Sequence, residues 1–345
     1  MQNQNINEAV RMQEYLLGLL QKNIRKTCTG MAEEIGISHD KLQKILTATS
    51  EKKTSVICEE SIAVIRSLGA HNGAFGTDDT LVVKPFGKKM PELGYHKESS
   101  TGQTVLGFSI VVVVWIYKDM IIPVGFDVWI KGTSIKKHDI AAQLIEQIKE
   151  QIRVDLCLFD GLYAIPRFMA LLLNAGVNFV MRIAANRVVT FPNGTKNNLR
   201  DHFIPLMKRN MRYLTQRCSW YGMPIYVTCI KLKAADGEFK YIFLVSSFFA
   251  AAKESLTIYS KRWAIEKFFR TAKQKLGLQH CQAHSMEKQK AHIFMVMMAY
   301  ILAQLVARCR KLKNPEEALK YLLTLKRSDI KKQIVSLGAI FHAYA

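Results

Sequence analysis

The order of apolar segments between residues 73 and 183 constrains this 345-residue chain more than any other feature of its sequence. The run at 105–117 is rich in Val and Ile, which favour strands. Lys118 and Asp119 separate it from a second apolar run at 120–130, and this pattern predicts a hairpin. The full predicted order is strand 73–83, strands 105–117 and 120–130, helix 134–153, strand 154–161, helix 165–174 and strand 177–183.

Three strands, a helix, a strand, a helix and a strand form the order of a ribonuclease-H-like α/β core. We therefore expect a mixed β-sheet flanked by helices. Residues 184–250 do not continue this alternation of strands and helices. Asn193-Gly194 and Asp236-Gly237 within them are hairpin turn signals. The predicted division is a helical segment at 1–56, a core at 57–186 and 251–283, a β-rich insertion at 187–250 and C-terminal helices at 284–345.

Acidic residues lie within or at the end of two predicted strands. Asp160 ends the apolar run that begins at Val154, and α/β sheets place functional groups at the C-terminal ends of strands. Asp78 and Asp79 lie in the first predicted strand, where successive side chains point to opposite faces. Only one of these two can therefore share a site with Asp160.

A run without Gly or Pro from Tyr259 to Leu276 predicts one continuous helix. At about 100° per residue, four of its side chains fall within an arc of roughly 60°. They are Tyr259, Arg262, Glu266 and Lys273. An apolar strip beside this arc consists of Ile265, Phe269 and Leu276. The pattern is also compatible with a solvated helix surface that carries a fortuitous Glu–Lys pair.

The charge is distributed unevenly along the chain. Residues 181–345 carry 29 Lys and Arg against 9 Asp and Glu, so nearly all of the formal net charge of +21 lies there. Such basicity favours a polyanionic partner, most simply double-stranded DNA, although basic soluble proteins are common. The seven scattered cysteines contain no CxxC, which favours a reducing compartment. His280, Cys281 and His284 lack a second ligand pair at zinc-like spacing, so we expect no zinc there.

Membrane insertion is not expected from the apolar runs. Residues 108–117 and 293–307 are both shorter than a membrane span, and they are interpreted as a buried strand and a buried helix. The N-terminus is polar, which argues against a signal peptide.

The N-terminal segment has the pattern of two short helices joined by a tight turn. Residues 31–46 place Gly36 at the turn and Ser38 at the start of the second helix. This pattern predicts a helix-turn-helix, although an ordinary helical hairpin would look similar. The second helix would offer polar side chains to DNA, namely His39, Lys41, Gln43 and Lys44.

Several carboxylates surrounded by cations suit divalent metal and phosphate. Mg²⁺ takes oxygen ligands, often one or two carboxylates completed by substrate phosphate. Two ions about 3.5–4 Å apart can activate an attacking oxygen and stabilise a leaving one. Three carboxylates from distant parts of the chain meet this need: Asp78 or Asp79, Asp160 and Glu266.

At these residues the chain resembles a known family. The spacing from Tyr259 through Arg262 and Glu266 to Lys273 resembles the Y-R-E-K signature of bacterial insertion-sequence DDE transposases. Asp78 before Thr80 matches the Asp-x-Thr form of that family. The likeness covers roughly residues 70–310. It differs at 73–76, where Gly-Ala-Phe-Gly stands in place of an apolar strand.

The resemblance implies a role for each matched residue. Asp78, Asp160 and Glu266 would be the catalytic, metal-binding triad and would hold two Mg²⁺ ions, which Mn²⁺ can replace. Tyr259, Arg262 and Lys273 would hold DNA phosphates.

The expected activity is that of a cut-and-paste transposase. It would act as a homodimer or higher multimer on transposon ends and target DNA, in the bacterial cytoplasm at the nucleoid and away from membranes. Two alternatives are a ribonuclease-H-like nuclease that cleaves without joining, and a non-catalytic helix-turn-helix protein derived from a transposase.

Overall fold

The computed structural model describes residues 12–21, 25–52, 58–69, 73–87, 89–98, 101–234 and 236–344, with side chains as far as 336. The polar residues at 52–55 predict a linker, and most of it lies outside these residues, as does the predicted domain boundary at 56. Apolar positions at helical spacing predict a helix at 7–22, of which residues 12–20 are helical and form α1. Three further helices follow before the sheet: α2 (Cys28–Ile35), α3 (His39–Lys52) and α4 (Glu59–Ser67).

The predicted tight turn between two helices is present. Gly36 ends α2 with a φ of 72°, which glycine adopts without steric cost, and its N–H donates to the Ala32 carbonyl at 2.9 Å. The hydroxyl of Ser38 accepts a hydrogen bond from the Lys41 N–H at 3.2 Å at the start of α3. Leu42 of α3 is buried in the core, and the assignment of the two helices to a helix-turn-helix stays a prediction. Contact of α3 with DNA stays a prediction.

The central sheet has the predicted ribonuclease-H-like topology. Its strands are β1 (Ala74–Val83), β2 (Gly94–Lys97), β3 (Thr104–Tyr117), β4 (Met120–Trp129), β5 (Leu156–Phe159) and β6 (Asn178–Ile183). The core order is β4-β3-β1-β5-β6, in which β1 pairs antiparallel with β3 and parallel with β5. Two helices connect the later strands, α5 (Lys137–Lys149) and α6 (Pro166–Asn174). The β3–β4 hairpin turns at Lys118 and Asp119, as the sequence predicts.

The insertion extends this sheet. Its elements are β7 (Val188–Thr190), β8 (Lys196–Asn198), α7 (Leu199–Leu206), β9 (Tyr213–Trp220), β10 (Met223–Lys233) and β11 (Phe239–Ser246). The predicted hairpin of β10 with β11 is confirmed. In addition, β11 pairs antiparallel with β6, so the sheet continues without a break from the core into the insertion. The sequence pattern did not indicate β9 or α7.

The rest of the chain is helical: α8 (Ala252–Ser260), α9 (Trp263–Gln274), α10 (Met286–Cys309), α11 (Pro315–Leu322) and α12 (Arg327–Tyr344). Among the described helices, α10 alone is long and apolar enough to span a membrane by length and composition. However, 83% of its most apolar stretch is buried inside the protein. This degree of burial is typical of a core helix that is apolar all round.

Three predicted elements need correction. The polar residues at 84–104 predict a loop, but this segment contains β2, which pairs with the start of β3. The helix expected at 134–153 is shorter at both ends. The continuous helix expected from Tyr259 is wrong, because the chain breaks between α8 and α9 at Lys261 and Arg262. No Gly or Pro marks this break, so residue pattern alone could not locate it.

Candidate active site

Asp78 and Asp79 are neighbours on β1, and their side chains contact helices on opposite faces of the sheet. Asp78 Oδ2 accepts a hydrogen bond from Arg262 Nη1 at 2.6 Å, on the side of α9. Asp79 forms an ion pair with Lys137 of α5. Strand alternation requires this separation. Of the two acids, Asp78 is therefore the one that shares its face with Glu266.

Arg262 lies at the break between α8 and α9. Its N–H donates to the Tyr259 carbonyl at 2.9 Å, and the Ile265 N–H donates to the Arg262 carbonyl at 3.0 Å. Both bonds span three residues rather than four, so they tighten the chain locally. From this position, Arg262 Nη2 donates to Glu266 Oε1 at 2.9 Å while Nη1 holds Asp78. One guanidinium thus joins two of the predicted metal ligands.

Asp160 lies directly after β5, beside β1. Phe159 is the register partner of Thr77, so Asp160 emerges one position beyond that pair. Its carboxylate accepts a hydrogen bond from the Leu162 N–H and caps the short 3₁₀ turn that follows. The charge of Asp160 contributes to raising the pKa values of Asp78 and of Tyr259. Asp78 and Asp160, which are distant in sequence, therefore lie on or next to adjacent strands, and Arg262 links Asp78 to Glu266.

The Asp78 carboxyl has a strongly perturbed pKa. Burial raises the pKa of Asp78 to about 7, although the Arg262 guanidinium acts in the opposite direction. The negative charges of Asp160 and Asp79 add to the increase. A buried carboxyl whose pKa is raised by neighbouring negative charges indicates a site with excess negative charge, which a further cation would stabilise.

The predicted phosphate contacts divide into two groups. The ring of Tyr259 lies 5.8 Å from the Arg262 guanidinium carbon, and burial raises the pKa of the Tyr259 hydroxyl. Lys273 lies further along α9, where burial lowers its pKa and the charges of Glu98 and Asp79 oppose that change. The acids that act on Lys273 are therefore not the pair that holds Arg262.

Two buried hydroxyls near the carboxylates have no hydrogen-bond partner. Tyr163 is fully buried against Phe159 and Phe168, and its hydroxyl oxygen is unpaired, as is that of Thr77. Burial raises the pKa of Tyr163 well above its usual value, and the charges of Asp79, Asp78 and Asp160 add to this effect. An unpaired buried hydroxyl costs stability, so such groups concentrate where function requires them.

Close packing of neighbouring side chains explains why Gly73 and Gly76 precede Asp78. A Cβ at Gly73 would lie 1.9 Å from Trp115 Nε1, and a Cβ at Gly76 would lie 3.1 Å from the Ile116 side chain. It would also approach Ile265 of α9 at 3.9 Å. Larger side chains from β3 and α9 fill the space that an apolar residue on β1 would occupy. This explains the departure from an apolar strand at 73–76.

Lys137 is a site residue that the sequence pattern did not reveal. Its ammonium group pairs with Asp79 and lies 4.8 Å from the centre of the Trp129 ring. The residue is separated from Asp79 by 58 positions, at the start of α5. No local motif marks it, and only the fold brings it to the sheet.

The fit of a divalent metal can be judged from the donor groups. Among the described residues, no group of three or more His, Cys, Asp or Glu side chains is arranged to hold a metal ion. At this site the guanidinium of Arg262 bonds both Asp78 and Glu266. The donors themselves are carboxylate oxygens, which suit Mg²⁺ and Mn²⁺. The chemistry of the donor atoms therefore fits such an ion.

The fold and the site together define a class of protein. A ribonuclease-H-like sheet that carries acids on two adjacent strands and on a neighbouring helix is the framework of a metal-dependent polynucleotidyl nuclease or transferase. Residues 111–302, more than half of the chain, match the family model described as Transposase DDE domain. Residues 3–200 match the model described as DDE superfamily endonuclease. The protein belongs to the DDE transposase family, whose activity is DNA cleavage of the transposase type.

A search of curated proteins gave no match. Among solved structures, the Drosophila P element transposase strand transfer complex is similar at 10% identity with a TM-score of 0.26, over 96% of this chain and 78% of that chain.

Proposed function

We propose that this protein is a cut-and-paste transposase of a bacterial insertion sequence. It binds the ends of its element, cleaves the DNA and joins the freed 3′-hydroxyl to target DNA. The observation that carries the proposal is the ion-pair bridge Asp78–Arg262–Glu266, which joins two positions of the Y-R-E-K signature to the first acid of the proposed triad. The match to the transposase family supports the same activity.

The proposed metal ligands are Asp78, Asp160 and Glu266, and Mg²⁺ or Mn²⁺ is the proposed ion. When bound, such ions lower the pKa of the attacking water and stabilise the leaving oxygen. The guanidinium of Arg262 would then transfer from the carboxylates to a DNA phosphate, which it can bind through two parallel hydrogen bonds. Tyr259 and Lys273 would contact neighbouring phosphates.

The reaction has two chemical steps. In the first, a water oxygen attacks a phosphodiester at the element end, and the bond to the 3′-oxygen breaks to leave a 3′-hydroxyl and a 5′-phosphate. In the second, this 3′-hydroxyl attacks a phosphodiester of the target strand. A new phosphodiester forms, and a target 3′-hydroxyl is released. We propose a homodimer or higher multimer in the nucleoid-associated cytoplasm as the assembly that brings two ends together.

A cleavage assay with the element's own inverted repeats tests the proposal. Incubation of the full chain with Mg²⁺ or Mn²⁺ is expected to give nicked ends and then joined products. Asp160→Ala and Glu266→Ala are expected to abolish both products and to retain DNA binding. Asp155→Ala is a matched control, because Asp155 is an exposed acid that pairs with Arg153 away from the site.

The same assay separates the alternatives. Retained cleavage in either variant would contradict the triad. Nicking without joining would favour a ribonuclease-H-like nuclease. Inactive but DNA-binding wild-type protein would favour a non-catalytic DNA-binding role.

A further inference from the structure

A second cleft lies apart from the carboxylates, between the N-terminal helices and the catalytic core. Its volume is about 540 Å³. Three segments line it: Arg25 and Thr27 before α2, the loop that follows β1 from Lys84, and residues 279–284 after α9. The cleft therefore joins the predicted helix-turn-helix segment to the catalytic sheet.

The lining of this cleft is basic. Arg25, Lys84, His280 and His284 contribute to it, and none of the described residues that line it is Asp or Glu. Gln279, Gln289 and Thr27 add neutral hydrogen-bonding groups. A concave surface that carries cations and polar groups but no acid favours an anionic ligand.

Lys84 is a fixed cation within this cleft. Its side chain is buried, and Nζ donates to the carbonyl oxygens of Gln279 at 3.1 Å and of Cys281 at 2.7 Å. Among the described ion pairs, none involves Lys84. A buried ammonium without a carboxylate partner is costly, and burial lowers its pKa to about 8. An anion bound next to it would offset this cost.

The pKa of His280 is affected by the positive charges in the same cleft. Its Nδ1 accepts a hydrogen bond from the Lys26 N–H at 2.9 Å, which fixes the ring. Burial lowers the pKa of His280, and the charges of Lys84, Lys26 and Arg25 lower it further. The ring is thus surrounded by three cations, and its titration can report the binding of an anion.

The geometry of the cleft suits a nucleic-acid strand. Phe86 is 87% exposed in its lining, so a flat apolar face lies beside the cations. Aromatic faces next to basic grooves bind bases of DNA by stacking. Lys84 follows Asp78 by six positions, with five residues of β1 between them, which corresponds to about 20 Å along the strand. At about 3.4 Å per nucleotide, this distance spans roughly six nucleotides of one DNA strand.

We propose that this cleft binds the phosphodiester backbone of DNA about six nucleotides from the cleaved bond, with phosphates on Arg25 and Lys84 and a base against Phe86. The identity of the anion as DNA rests on the proposed function. The cleft would couple the N-terminal segment and the catalytic core to one continuous stretch of DNA.

The first test measures duplex binding by fluorescence anisotropy over a range of salt concentrations, with the full chain and without divalent metal. Arg25→Gln combined with His284→Gln changes only exposed side chains, so folding is expected to be retained. Loss of one phosphate contact should reduce the slope of log K against log salt by about one, with affinity several-fold lower. Lys84→Met should act in the same direction. Lys320→Gln, an exposed cation on α11, is the matched control and should change neither quantity.

The second test follows His280 by NMR, with His280→Gln used for assignment. A short oligonucleotide is expected to raise the pKa of His280, because bound phosphates neutralise the surrounding cations. A response to inorganic phosphate alone, with none to the oligonucleotide, would overturn the proposal of a DNA site. An unchanged salt slope in the Arg25 and His284 double variant would overturn it as well.

The two proposals can fail separately. Unchanged DNA binding in the cleft variants, together with normal cleavage that depends on Asp160 and Glu266, would remove the cleft and leave the transposase function. Salt-dependent loss of binding in the cleft variants, together with an inactive wild-type protein, would leave the cleft and remove the transposase function.

Discussion

Arg262 and Asp78 form a hydrogen-bonded ion pair of 2.6 Å across 184 residues of sequence, and the same guanidinium holds Glu266 at 2.9 Å. Both side chains of the first pair are largely shielded from solvent, with 13% and 17% exposure. A cation is therefore already present between two of the proposed metal ligands. Metal binding at these carboxylates would therefore be linked to the position of Arg262, because the guanidinium and the metal would compete for the same oxygens.

Arg262→Gln is expected to strengthen metal binding while it weakens DNA binding. Removal of the competing guanidinium leaves the carboxylates uncompensated, so Mn²⁺ affinity in the absence of DNA should rise about tenfold, equivalent to about 1.4 kcal/mol. Isothermal titration calorimetry measures the first effect and anisotropy the second. Arg270→Gln is a control on the same helix, since Arg270 is half-exposed and pairs with Glu316. Equal or weaker Mn²⁺ binding by Arg262→Gln would contradict competition.

Asp78→Asn is expected to remove a pH dependence of stability. The folded-state pKa of Asp78, about 7, lies above its usual value of 3.8, so the folded protein binds a proton more tightly than the unfolded chain. The resulting contribution to the free energy of unfolding is fully present below about pH 4 and is lost as the pH rises through about 7. It amounts to at most about 4 kcal/mol. Denaturant unfolding of the metal-free protein at pH 5 and pH 8 measures it. If the free energy of unfolding of Asp78→Asn fell between pH 5 and pH 8 by as much as that of the wild type, another group would be responsible.

Much of the fold could be predicted from the sequence because the residue patterns that mark its elements are local. The β-branched run of β3 and the Lys118-Asp119 turn predict the hairpin by themselves, and the acid at the end of β5 indicates the edge of the sheet. The pairing of β11 with β6, in contrast, depends on which strand edge remains free after the core assembles. The break at Arg262 is of the same kind, because its side chain is held by an acid on a different element.

The candidate site was only partly predictable for related reasons. Spacing placed Arg262 and Glu266 on one face, and the i,i+4 contact between them follows from helix geometry. Strand alternation predicts that Asp78 and Asp79 point to opposite faces, but only the structure shows that their partners are Arg262 and Lys137. Lys137 could not be found from sequence, since its contact with Asp79 joins two segments through tertiary structure alone.

Tyr163→Phe is expected to stabilise the protein. The Tyr163 hydroxyl is buried without a hydrogen-bond partner, so its removal eliminates a desolvation cost of about 1 kcal/mol or more. Tyr300→Phe is the matched control, because the equally buried Tyr300 hydroxyl accepts a hydrogen bond from Gln304 Nε2 at 3.1 Å. Its removal leaves that amide with one bond fewer and should lower the free energy of unfolding. Destabilisation of similar size in both variants would show that the Tyr163 hydroxyl has a partner in solution.

Gly76→Val is expected to disturb the contact between β1 and α9. A Cβ at this position lies 3.1 Å from Ile116 Cδ1 and 3.9 Å from Ile265 Cβ, so the additional methyl groups of Val must displace one of these side chains. Overpacking of this kind costs about 1–3 kcal/mol. It should also move α9 away from Asp78 and reduce DNA cleavage. Ile116→Val removes the closest atom, so the double variant should recover part of the lost stability in a double-mutant cycle. Strictly additive effects of Gly76→Val and Ile116→Val would place the strain elsewhere.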